Sequence, residues 1–234
     1  MNTFKSTIAL IVAALFLNSA PTFANSSQPS MDKVNHILAH LESPSEDMLD
    51  AINDKNIVQL QKLDDKLNTL MAQLNDTSII ESLSSDELMH IALLNSWYQL
   101  ITIELKELDD YPALANAINQ FSGQLIVSTH FAYDYQKGVA WMDYLGRELM
   151  LLDKYHTSSN THLNLINTRK TQLQITWQRV QQHIKKDAKG NALVKKVDPV
   201  IKLLIAESSP KQAELLAEQE LELVDSIEEY FHID

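Results

Sequence analysis

Between Leu60 and Leu74 the leucines fall at 60, 63, 67, 70 and 74, alternately three and four residues apart. That spacing lays them along one stripe of an α-helix and scatters them over both faces of a strand. Two heptads are too few for a coiled coil, so the stripe belongs to a helix of a bundle. The same rhythm recurs at Val34, Ile37, Leu38 and Leu41. Read in this way, the chain predicts an all-α fold, an irregular multi-helix bundle of about six to eight helices after a cleaved signal peptide.

Local signals divide the bundle. Residues 31–42 form a first helix, and Ser43-Pro44 supplies an N-cap and a first-turn proline that open a second, shorter one. The stretch 75–85 is a linker by composition. Ser84 and Glu87 stand in capping-box register at the head of a helix running to about residue 108. That helix is apolar on all sides, which predicts a central position. A polar break at 157–161 precedes three helices at about 161–187, 190–206 and 210–231, the last opened by Ser209-Pro210.

The segment from Tyr111 to Lys154 admits two readings. Alternating Phe131, Tyr133 and Tyr135, followed by Gln136-Lys137-Gly138, would suit a hairpin. Against it, Ile118, Phe121, Leu125, Ser128, Ala132, Tyr135, Val139, Met142, Gly146 and Leu149 hold a helical register without a slip. The unbroken register favours helix, kinked near Gly138.

The first residues carry Lys5, an apolar run from Ile8 to Leu17, and small residues at Thr22 and Ala24 around Phe23. This is the pattern of a secretory signal cleaved after Ala24. The expected organisation is therefore a signal peptide at 1–24, a disordered lead-in at 25–30 and a single helical-bundle domain at 31–234, acting in a periplasmic or secreted location. The apolar run is too short to span a bilayer. No cysteine occurs, so disulfides, thiolate zinc and iron–sulfur clusters are excluded and the fold must rest on packing. The four glycines lie too far apart for a nucleotide-cradling loop. A net charge of −12 speaks against nucleic acid as a partner.

No Gly-x-Ser-x-Gly or His-Glu-x-x-His stands in the chain, and no cofactor is expected. The expectation is a non-catalytic module that binds another protein, as a chaperone, adaptor or inhibitor of a basic partner. Two candidate surfaces follow. Glu214, Glu218, Glu222, Asp225 and Glu229 share one face of the last helix and offer an acidic strip. Tyr133 and Tyr144 fall off the apolar register and, with His130, would line a groove. The alternatives are a small-ligand or metal-binding bundle and a hydrolase with an unrecognised site. For metal, His36 and His40 are one helical turn apart, but Asp32 in the same row lies about 12 Å from His40 and cannot join them on one ion.

The C-terminal charge is split. Residues 169–202 hold nine Lys or Arg against two acids, and residues 207–234 hold nine acids against one lysine. Either adjacent antiparallel helices pair these charges along their edges, or the basic stretch meets an anionic partner. Oligomeric state is not encoded in any of these patterns.

Overall fold

The computed structural model describes residues 29–107, 110–155 and 159–233. The signal segment, the lead-in up to residue 28 and most of the front of the polar break at 157–161 lie outside the described residues. Within them every regular element is a helix: α1 (Pro29–Asn53), α2 (Ile57–Leu74), α3 (Thr77–Ile80), α4 (Ser85–Glu107), α5 (Tyr111–Ser128), α6 (Asp134–Lys154), α7 (Asn160–Gln181), α8 (Ala188–Ala206) and α9 (Pro210–Phe231). The all-α multi-helix bundle is thus as expected, with nine helices among the described residues.

The long helices close into two rings of four. α1 packs on α2, α2 on α4, α4 on α5 and α5 back on α1. In the second ring α6 packs on α7, α7 on α8, α8 on α9 and α9 back on α6. The buried side chains follow this division. One cluster is centred on Leu38, Leu41, Leu60, Leu67, Leu94, Ile101, Ile118 and Phe121. The other is built around Met142, Leu149, Leu173, Trp177, Val197 and Ala217. The rings meet where α5 packs against α6.

Several local expectations are met by hydrogen bonds. The Ser84 N–H donates to Glu87 Oε2 at 2.7 Å while the Glu87 N–H donates to Ser84 Oγ at 3.3 Å, closing the capping box. Ser209 stands at the N-cap position of α9 without a side-chain capping bond, and Pro210 lies in the first turn. Leu60, Leu63, Leu67, Leu70 and Leu74 are all buried.

Others are corrected. Helix α1 begins at Pro29, inside the expected lead-in, and passes through Pro44 without ending. Proline cannot donate to the carbonyl four residues back. Packing compensates: Pro44, Ser45 and Met48 are buried, and Ser45 Oγ lies 2.6 Å from the Glu42 carbonyl and 3.2 Å from Ser122 Oγ on α5. The linker after α2 contains the one-turn α3, whose N-terminus Asp76 caps. Helix α4 is not central, since Met89 and Ile103 are 54% and 51% exposed. That place belongs to α5, on which residues 121–126 are all buried. The 111–154 segment is helical, but it breaks at 129–133 instead of bending at Gly138, which lies within α6.

Candidate functional site

The break between α5 and α6 is held from a distance. Asn35 on α1 accepts from the His130 N–H at 3.1 Å and donates to the His130 carbonyl at 3.4 Å, so the extended backbone exchanges a helical bond for a side-chain one. Gln136 then accepts from the Tyr133 N–H at 3.1 Å and starts α6. This connection floors a cleft of about 580 Å³ between the two rings, walled by α1, α6 and α9. Such a volume lies in the range of ligand sites.

Five carboxylates line the cleft: Glu42 and Glu46 from α1, Asp143 from α6, and Asp225 and Glu228 from α9. Among the described residues one cation pairs with them. Arg147, nearly buried one turn beyond Asp143, makes ion pairs with Asp143 and, at 3.0 Å, with Glu46. It so ties the first ring to the second. Glu42 and Glu228 make no ion pair with it, and their titration reflects this. Burial first, then the charges of Glu42, Asp225 and Glu46, push the Glu228 carboxyl from 4.5 up to about 7, and Arg147 only partly offsets them. Glu42 keeps solvent access along one edge, but the protein crowding its other sides, together with Glu46, raises it as well. Behind the cleft wall Glu220 is wholly buried, neither of its oxygens has a hydrogen-bond partner among the described residues, and burial holds its carboxyl well above the usual range.

The expected site residues separate. Asp225 lines the cleft, and Glu229 borders a shallower depression of about 400 Å³ with Asp225, Glu228, His232 and Ile233. Glu218 and Glu222 are solvent-exposed and Glu214 is half-buried, all outside the cleft. His130 lines the cleft with its ring 3.5 Å from Glu87. Tyr133 does not line it: 59% exposed, it stacks on Tyr135 at 5.3 Å. Tyr144 is no groove residue either. It is buried against Gly123 and Trp141, and its hydroxyl accepts from Gln120 at 3.1 Å. Its place off the apolar register reflects contact with two layers at once, Gly123 having no Cβ to obstruct the ring. His36 and His40 are exposed, with ring centroids 4.2 Å apart. Among the described residues no group of three or more His, Asp or Glu is placed to hold a metal ion.

Glu42, Glu46, Asp143, Arg147 and Glu228 were not singled out by sequence reasoning. The available signals were the i,i+4 pairs Glu42/Glu46 and Asp143/Arg147 and the Asp225/Glu228 step. Each reads alone as an ordinary polar helix face, and only the packing of α1, α6 and α9 brings them together.

No known protein family, curated protein or solved structure matches this chain. Its chemistry rests on its own geometry.

Proposed function

We propose that this protein is a non-catalytic binding module that receives a lysine- or arginine-rich segment of another protein in the cleft between its two rings. The observation that carries the reading is the charge of the cleft, five carboxylates against the one guanidinium of Arg147. A bound cation would relieve the mutual repulsion of Glu42 and Glu228, which no protein cation now does fully. The signal-like pattern at 1–24 supports a periplasmic or secreted place of action. The cleft's volume favours a second reading, a small organic cation such as a polyamine.

Titration with a short oligolysine peptide and, separately, with spermine tests both. The expected result is salt-sensitive binding of the peptide, weakened at least tenfold in a Glu42→Gln, Glu228→Gln variant and unchanged in a Glu214→Gln, Glu218→Gln, Glu222→Gln variant. Spermine binding as tightly as the peptide would select the small-ligand reading. No binding of either at low salt would refute both.

A further inference from the structure

The charge split near the C-terminus has a structural outcome that the cleft does not use. Helices α8 and α9 do pack together, but through Leu193, Val197, Ile201 and Leu204 on one side and Ala213, Leu216 and Ala217 on the other. Among the described residues no ion pair joins a basic side chain of 169–202 to an acidic one of 207–233. Basic side chains of the first segment reach the second at Lys170, which is buried and donates to the Glu207 carbonyl, and at Lys189, whose ammonium lies 5.5 Å from the Tyr230 ring centroid; among the described residues the charges of the two segments are otherwise unpaired with each other.

Lys185, Lys186, Lys189, Lys195, Lys196 and Lys202 are all exposed. At 100° per residue the four on α8 fall within an arc of roughly 140°, on the side away from its buried stripe, and they extend along about 20 Å of helix. The two acids in this stretch are already engaged. Asp187 accepts from the Gly190 N–H at 2.8 Å as the N-cap of α8, and Asp198 pairs with Lys202 at 2.5 Å. Leu203, 58% exposed, projects from within the lysine arc.

We propose that this face of α8, with the preceding turn, docks on a membrane surface rich in anionic phospholipid. The pattern fits that partner in three respects. The cations are lysines, compact point charges suited to a diffuse field of phosphates more than to bidentate recognition of one group. They cover a convex helix face and none of them lines the cleft. The interleaved Leu203 gives an apolar side chain to the headgroup region, where an amphipathic basic helix lies in the plane of the interface. A nucleic acid would use the lysines but not the leucine. No helix among the described residues is long and apolar enough to cross the membrane, so the contact is peripheral.

Co-sedimentation of the full chain with phosphatidylglycerol–phosphatidylcholine vesicles, and with pure phosphatidylcholine vesicles, tests the assignment. Lys5 and the apolar run at 8–17 are common to the parent and to both variants below, so their contribution cancels in the comparison between them. Preference for the anionic vesicles, reversed by salt, is expected. Each lysine near the surface contributes about fivefold in partitioning. A K189Q, K195Q, K196Q, K202Q variant with an unchanged helical spectrum should thus lose on the order of a hundredfold or more. A K33Q, K62Q, K66Q, K106Q variant carries the same net charge and should bind as the parent does. Equal partitioning onto both lipids, an equal loss in the two variants, or capture by heparin without binding to anionic vesicles would each overturn the proposal.

Discussion

Replacing Glu228 by glutamine removes the most strained charge of the cleft, and the effect on stability has a sign fixed by linkage. Glu228 faces Glu42, Glu46 and Asp225, with Arg147 as the one opposing charge, and its carboxyl is raised from 4.5 to about 7. Below about 4.5 it is protonated in both the folded and unfolded chain and carries no penalty. As pH rises towards 7 the unfolded chain releases the proton while the folded one keeps it, so stability falls, and above 7 the full cost is present. A shift of this size would amount to roughly 3 kcal/mol in a fully shielded site. Part of the side chain remains in water, and screening reduces the figure to about 1–2 kcal/mol. Urea unfolding of parent and Glu228→Gln followed at intervals from pH 4.5 to 8 should give curves that coincide at the acid end and diverge to about 1–2 kcal/mol in favour of the variant at pH 8. The variant's stability should still fall with pH, though less steeply, because Glu42 and Glu220 are displaced in the same direction. Parallel curves across the whole range, or a variant less stable than the parent at pH 8, would refute the account of the cleft as short of positive charge.

Other consequences follow from the same packing. Arg147→Met should destabilise the fold by about 3 kcal/mol at pH 7 by leaving Glu46 and Asp143 without their cation, measured as a lower urea midpoint. Glu220→Leu should raise the melting temperature, since an apolar side chain of similar length replaces a buried carboxyl whose oxygens have no partner, a gain of about 1–3 kcal/mol. Gly146→Ala should cost about 1–3 kcal/mol, because a Cβ there would run into the Glu220 carboxylate and approach Leu221 Cδ2 to 2.9 Å; combined with Glu220→Ala the cost should shrink, which a double-mutant cycle detects. Among the described residues the two histidines of α1 have no third ligand group, so His36→Ala, His40→Ala should leave any zinc-induced change in melting temperature the same as in the parent.

What the sequence made legible was what one helix decides by itself. The leucine stripe of α2, the Ser84/Glu87 capping box and the Ser209-Pro210 start each depend on residues within a few turns, and each is found as expected. Where the reading went astray, a distant residue had intervened. Ser43-Pro44 has the form of a helix start, yet α1 continues because Leu41, Pro44, Ser45 and Met48 form one buried face and Ser45 meets Ser122, 77 residues away. The register from Ile118 to Leu149 runs on without a slip, yet the chain leaves the helix at residue 129, where Asn35 takes the His130 amide from 95 residues away. The all-round apolar α4 sits at an edge because the smaller side chains of α5 let that helix occupy the middle. The cleft was illegible for the same reason: its carboxylates come from three helices, with the pairs on α1 and α6 separated by about a hundred residues of chain.

The acidic face expected on the last helix and the cleft differ in more than position. Along α9, Glu218 and Glu222 stand in open solvent, where each charge is hydrated and a partner's lysine gains about 0–1 kcal/mol from meeting it. In the cleft Glu42 and Glu228 have already lost part of their hydration through folding, which together with the neighbouring carboxylates raises the proton affinity of each. A cation entering there supplies the missing charge without having to desolvate the carboxylates again, so more of its Coulombic gain remains as affinity. Binding must then favour the ionised form of Glu228, and the linkage runs both ways: affinity for the oligolysine peptide should fall as pH drops from 8 to 6. A pH-independent affinity between 6 and 8, with binding intact, would place the peptide outside the cleft.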